Sequence, residues 1–279
     1  MADMYQTITN RIIEQLEKVG KGINPFAEMA RMDKYNYKTK RGYSLLNSLF
    51  LPKKGGYLTF KQALDMGGKP KKGSKTYPIY FYTIVKKVKE DGNEEEIPVL
   101  RYFNVFHIDD IEGITFNDAV PTDQQPIEEI EDVISDYLER SGVQINYIEE
   151  QQAYYNKDKD AVTIAMPDKF TDATSYYHVL MHELSHSTGI LERLHRKEIV
   201  NGSVFGSGDY SREELTAELS ACMLMAHFGC NAAQNIKMTA EYVKSWIQAL
   251  NNDKRMIVYA SSRAEKACKY ILTGEEPQY

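Results

Sequence analysis

Tyr5, Ile8, Ile12, Leu16 and Val19 recur at spacings of three and four along the start of the chain, and Gly20 follows them. That period gathers the apolar side chains on one face and predicts an amphipathic helix over 3–19. Short helical patterns continue around 25–32, 44–50 and 59–66, the last closed by Gly67 and Gly68. The rhythm then changes. Residues 76–89 (TYPIYFYTIVKKVK) and 97–109 (IPVLRYFNVFHID) are rich in β-branched and aromatic side chains and flank the polar turn EDGNEE. A β-hairpin is expected there.

Beyond 109 the composition turns acidic, and NDAVPTDQQP (117–126) has the content of a linker. A helix is expected from about 127 to 140, then a strand in DAVTIAMP (160–167) stopped by Pro167. A further helix carries HVLMHELSHSTG (178–189), with Thr171, Asp172 and Thr174 as capping candidates and Gly189 as its stop. After a stretch rich in Gly and Ser (201–208), helices are expected at about 210–228, 239–250 and 253–272. These patterns predict an α+β protein of two domains. A small α+β domain spans 1–112, a linker 113–126, and a mainly helical domain with a small sheet 127–279.

Charge sharpens the division. The net charge of −6 hides nineteen Lys and Arg against thirteen Asp and Glu in residues 1–110, and fifteen against twenty-seven thereafter. Such a basic front and acidic back imply different partners for the two parts. No signal-peptide pattern opens the sequence, and no apolar run has the length of a membrane span. Cys222, Cys230 and Cys268 are too few and scattered for a disulfide framework. A cytoplasmic protein with no membrane partner is expected.

The sharpest chemical signal is His182, Glu183 and His186, in the order H-E-x-x-H. On a helix, imidazoles four apart share a face and can grip one Zn²⁺, or another divalent ion. Glu183 lies about 100° round the helix, where it can take a proton from water without ligating the metal. Such a site needs a third protein ligand. Glu214, in SREELTAELSA (211–221), leads the candidates, ahead of Glu218, Glu192 and His195. Glu218, one turn on, could instead orient a ligand imidazole as a hydrogen-bond acceptor. Ser211 and Glu214 also match a capping box, which would spend the carboxylate on its own helix. Tyr210 could assist as an oxyanion donor.

In the front half, Lys38, Lys40 and Arg41 interleave with Tyr35, Tyr37 and Tyr43, and Lys69, Lys71, Lys72 and Lys75 precede Tyr77, Tyr80, Phe81 and Tyr82. Ammonium and guanidinium groups neutralise phosphates, and flat rings receive unpaired bases, so single-stranded DNA is the expected partner. The competing reading is a solvated basic face with its tyrosines in the core.

These segments together resemble the ArdC-type antirestriction proteins of plasmids, phages and integrative elements. The resemblance rests on TKRGYSLLN (39–47), YLTFKQALDMGGKPKKGSK (57–75), RYFNVFHID (101–109), VTIAMPDKF (162–170), YYHVLMHELSHSTG (176–189), ERLHR (192–196), FGSGDYSREELTAELSA (205–221) and 241–272. It implies a single-stranded-DNA-binding domain followed by a zincin-like metallopeptidase domain acting on an unidentified protein. It also implies His182 and His186 as metal ligands, Glu183 as the catalytic carboxylate, and a Glu of EELTAEL as third ligand. Ile190 stands where the family commonly has His, and Tyr57 where Trp is usual. The alternative is a non-catalytic DNA-protecting protein with a structural or vestigial zinc site.

Overall fold

The computed structural model describes residues 3–18, 26, 33–88, 94–116, 127–202, 207–230 and 240–275, with the side chains of 82–88, 94–100, 127 and 240–242 excepted. It is α+β and forms two compact units, residues 32–121 and residues 1–31 together with 122–279. Helix α1 (Met4–Lys18) forms where its period predicts. It belongs to the second unit, although the sequence places it in the basic domain. An amphipathic face says that a helix packs, not against what. Most of the expected linker (117–126) and the expected helix at 25–32, Phe26 apart, lie outside the described residues.

In the unit 32–121, strands β1 (Lys34–Asn36), β2 (Gly55–Thr59), β4 (Tyr77–Val88) and β5 (Glu94–His107) form one sheet in the order β1-β2-β5-β4. The expected hairpin is β4–β5, paired without interruption from Tyr77↔Val105 to Val88↔Glu94. Strands β3 (Lys69–Pro70) and β6 (Ile111–Glu112) make a separate short pair. Helix α2 (Leu45–Ser48) is pinned to β4 by Asn47, whose amide donates to the Tyr80 carbonyl at 2.9 Å and accepts from the Tyr80 N–H at 2.6 Å. Helix α3 (Phe60–Asp65) starts at a complete capping box between Thr59 and Gln62. Tyr57 is fully buried with Tyr43, Leu51, Ile79 and Val105. Its hydroxyl donates to the Lys53 carbonyl at 2.7 Å, so this ring is core and offers no face to a ligand.

In the second unit, helix α4 (Ile127–Ser141) leads into β7 (Gln144–Ile148), β8 (Ala153–Asn156) and β9 (Ala161–Ala165). They order as β7-β9-β8, with β7 parallel and β8 antiparallel to β9. Only β9 is apolar enough to be read from sequence; β7 and β8 are short and half exposed. Helices α5 (Ala173–Ser187), α6 (Lys197–Val200), α7 (Gly208–His227), α8 (Ala240–Asn252) and α9 (Met256–Thr273) complete the unit. Helix α7 packs against both α5 and α9, and α1 packs against α8. Thr9 Oγ1 donates to the Lys254 carbonyl at 2.8 Å at the end of that contact. No helix among the described residues is long and apolar enough to cross a membrane.

The chain leaving α5 is tied back by Arg193. Its guanidinium donates to Asp160 Oδ1 at 2.9 Å, the Ser187 carbonyl at 2.7 Å and the Ser141 carbonyl at 2.8 Å. One buried cation thus joins the ends of α4 and α5 to the turn before β9. Arg193→Met is expected to cost about 2–4 kcal/mol, discounted from the roughly 3–5 kcal/mol for a broken buried pair because Asp160 keeps a third of its side chain in solvent. The shift of the urea midpoint reads this. A change below about 0.5 kcal/mol, the scale of ordinary surface substitutions, would show that the clamp is not structural.

Candidate metal centre

Helix α5 begins at Asp172, whose carboxylate accepts from the Ser175 N–H at 2.8 Å. It presents His178, His182 and His186 along one face, four residues apart. Helix α7 begins at Ser207, which caps Tyr210 N, so Glu214 is not engaged in a capping box with Ser211. The two helices approach closely where small side chains meet, with Ser185 Oγ 2.9 Å from Ser220 Oγ.

This packing brings His182, His186 and Glu214 together. His182 Nε2 and His186 Nε2 are 3.2 Å apart, and the Glu214 oxygens lie 3.6 Å and 3.5 Å from them. A tetrahedral ion with ligand bonds of about 2.0–2.1 Å requires donor separations of about 3.3–3.4 Å. The nitrogen–nitrogen distance and the two nitrogen–oxygen distances, to Oε2 from His182 and to Oε1 from His186, fall around that value. Two imidazole nitrogens facing each other across 3.2 Å are joined by a proton on one of them or by a cation between them, since two facing lone pairs repel. The site's electrostatics agree. Burial opposes a charge on His182, but Glu214, Glu218 and Glu183 overcome it and raise its pKa well above the ordinary value. Negative charge in surplus over its own cations is the environment a divalent metal neutralises.

Each imidazole is oriented from behind. His182 Nδ1 lies 3.1 Å from Glu218 Oε2, and His186 Nδ1 lies 3.0 Å from Glu213 Oε1. A proton on each Nδ1, donated to its carboxylate, leaves both Nε2 lone pairs for the ion. Those carboxylates are buried and held in turn. Glu218 Oε1 is 3.0 Å from His178 Nε2. Arg196 grips both oxygens of Glu213, at 2.7 Å and 2.8 Å, and reaches Thr188 Oγ1 and the Ser185 carbonyl at 2.7 Å each. Burial pushes Glu213 up, but Arg196 and His186 outweigh it and hold its pKa down at about 2.

Glu183 is buried beside this group, and among the described residues no hydrogen bond reaches its carboxylate. Tyr210 is half buried and hydrogen-bonded to Glu214; burial, then the charges of Glu214 and Glu183, push its pKa up to about 12. It therefore keeps its proton at neutral pH. Glu192 and His195 are exposed and stand outside the cluster. Sequence reasoning missed Glu213, Arg196 and His178. The four-residue period His178–His182–His186 was the available signal for His178. Gly189 acts differently from the expected helix stop: the helix ends at Thr188 with ordinary right-handed geometry. A Cβ at Gly189 would lie 2.9 Å from the Arg196 guanidinium carbon, so glycine here makes room for the clamp on Glu213. A second buried group, His178, Glu218 and Cys222, also has donor atoms within ligating range. Its Glu218 is already shared with His182.

The basic residues of the other unit divide. Lys38 pairs with Asp65 at 2.9 Å, Lys69 with Glu112 at 3.3 Å, and Lys71 donates to the Asp109 carbonyl at 2.7 Å. Lys40 stands 3.5 Å over the Tyr37 ring. Arg41, Lys72 and Lys75 are exposed, with Lys75 5.7 Å from the centre of the Tyr77 ring.

Comparison with known proteins also divides the chain in two, with α1 in the front part. Residues 2–106 match the model of the N-terminal domain of the anti-restriction factor ArdC, and residues 132–263 match that of a zincin-like metallopeptidase. Two crystal structures of the antirestriction protein ArdC from plasmid R388, one metal-free and one Mn(II)-bound, superpose with a TM-score of 0.75 at 29% identity. They cover 96% of this chain and 96% and 97% of theirs. A DNA primase TraC of Escherichia coli is 27% identical over 98% of this chain, which spans only 27% of that protein's length. An uncharacterised protein of Sinorhizobium fredii is 27% identical over 96% of this chain and 91% of its own.

The Glu213–Arg196 pair gives a pH signature. Its folded-state pKa is lowered, so its stabilisation is complete above the ordinary value of 4.5 and is lost as the pH falls toward about 2. Arg196→Met leaves a buried carboxylate without its cation and is expected to lose about 3–5 kcal/mol at neutral pH, with a shallower acid limb. Thermal unfolding between about pH 2 and pH 7 reads both effects. Identical acid limbs in variant and wild type would contradict the assignment.

Proposed function

The chain is an ArdC-type antirestriction protein, and on that premise we propose that it is a cytoplasmic, zinc-dependent peptidase joined to a single-stranded-DNA-binding domain. The observation that carries the peptidase reading is the convergence of His182, His186 and Glu214, with the unengaged carboxylate of Glu183 beside them. Two neutral imidazoles and one carboxylate suit Zn²⁺ with a position left open. The Mn(II)-bound relative fits a site that accepts divalent ions more broadly. A bound ion would supply Lewis acidity, lowering the pKa of water to about 7 and polarising a peptide carbonyl.

The protein's own groups then have distinct tasks. Glu183 takes the proton of the attacking water and returns it to the departing amine, as a carboxylate without a competing partner can. Tyr210, still protonated at neutral pH, would give up its hydrogen bond to Glu214 to donate its O–H toward the oxyanion that develops on the carbonyl. Glu218 and Glu213 hold the imidazoles in the tautomer that ligates, and His178 and Arg196 hold those carboxylates. A site meant only for structure has no use for a free carboxylate in Glu183's place.

The DNA-binding part draws on Arg41, Lys72 and Lys75 first: all seven basic residues are exposed, but among the described residues these three side chains make no ion pair or hydrogen bond within the fold. Lys38, Lys40, Lys69 and Lys71 can join only by giving up the contacts they make in the fold. Phosphate neutralisation by these groups would shield incoming single strands in a salt-dependent way.

Glu183→Gln and Glu214→Ala separate the roles. In a zinc-loaded preparation tested on a randomised peptide library by mass spectrometry, Glu183→Gln is expected to keep its metal and lose about 10²–10⁴-fold in hydrolysis, the range for one general base. Glu214→Ala is expected to lose metal by elemental analysis. Wild-type hydrolysis in Glu183→Gln, or no metal-dependent cleavage by the wild type, would contradict the peptidase reading.

A further inference from the structure

The β4–β5 hairpin carries two phenylalanines that its own fold does not cover. Cross-strand pairing puts Ile79 opposite Phe103 and Phe81 opposite Arg101, so Ile79, Phe81, Arg101 and Phe103 share one face of the sheet. Nearer β2, that face is the core: Ile79 and Val105 are buried against Tyr43, Leu51 and Tyr57. Further along the hairpin the cover ends. Phe81 remains 45% exposed and Phe103 50% exposed, although their rings touch with centroids 5.7 Å apart. Arg101, directly across from Phe81, is also exposed. Phenylalanine has no polar atom to justify a place in water, and paired exposed rings mark a contact surface more often than a stray residue does.

We infer that Phe81 and Phe103, with Arg101 across from Phe81 on the same sheet face, form a stacking platform for unpaired nucleotides. The inference rests on the DNA-binding reading above and gives it a specific surface. Charge selects the occupant. Residues 32–121 hold fifteen Lys and Arg against eleven Asp and Glu, net +4, while the whole chain is −6. A polyanion with flat, apolar faces matches a cationic unit bearing uncovered rings. An acidic protein would match the charge but would have no need of the ring faces. The ring planes meet at 70°, so the two faces open in different directions and each ring receives its own base. Arg101 can neutralise a phosphate beside them or stack in its turn. This face is separate from the turn bearing Lys72 and Lys75, which supplies charge without rings of comparable exposure. Stacking of this kind accepts any base, as every base has a π-face.

The test uses the full chain, fluorescein-labelled dT20 and an abasic strand of equal length, over one series of salt concentrations common to all variants. Phe81→Ala and Phe103→Ala are each expected to weaken dT20 binding about ten-fold, within the range for loss of one stacked base, and to leave abasic binding and the salt slope unchanged. Phe81→Trp should retain dT20 affinity. Lys72→Ala should weaken both strands alike and reduce the salt slope by about one. Melting temperatures near wild type confirm that the exposed substitutions leave the fold intact. If the wild type binds dT20 and the alanine variants bind it equally well, or lose both strands equally, the platform is overturned. If the wild type binds no single strand, the DNA-binding reading falls and the platform with it.

Discussion

A carboxylate behind each imidazole is the constraint on which the metal-binding half of this protein depends. Left alone, His182 and His186 would be two rotatable rings with ambiguous tautomers. Glu218 and Glu213 fix each ring through Nδ1, at 3.1 Å and 3.0 Å, and turn both Nε2 atoms toward Glu214. Burying those acids is costly without compensation, and His178 and Arg196 supply it. The rest of the local architecture follows. Helices α5 and α7 must lie close, so Ser185 meets Ser220. The chain after α5 must fold back, so Arg196 crosses over Gly189 where a side chain would collide.

The division between what was legible in the sequence and what was not follows the range of each interaction. His182, Glu183 and His186 lie on one helix, and their relation is set by a local period. Glu214 stood among four alternatives, since sequence does not give the distance between two helices; contact between α5 and α7 brings that residue to the histidines. Arg196 and Glu213 could not be paired in advance, because their meeting depends on a loop whose path is fixed by nonlocal contacts. The hairpin β4–β5 was plain from its alternation and its turn, while β1 was hidden by its shortness and β2 by its two glycines. The basic patches were legible as charge, yet three of their lysines are engaged within the fold.

The two units use electrostatics in opposite ways. In the acidic unit, like charges are buried around imidazoles, so the field itself calls for a divalent ion. In the basic unit, described cations other than the buried Lys34 stay near the surface, around a small sheet whose core face continues into exposed aromatic rings. Tyr57 shows how the same residue types serve both ends: it closes the core, while Phe81 and Phe103, on the same sheet face, remain open.

X-ray absorption at the zinc edge on the zinc-loaded full chain tests the central claim most directly. The arrangement of His182, His186 and Glu214 predicts a shell of two imidazole nitrogens and oxygen neighbours at about 2.0–2.2 Å, with no sulfur. A scatterer at about 2.3 Å, the distance for a thiolate, would instead place the ion on the buried group containing Cys222. That result, or fewer than two imidazoles in the shell, would contradict the account.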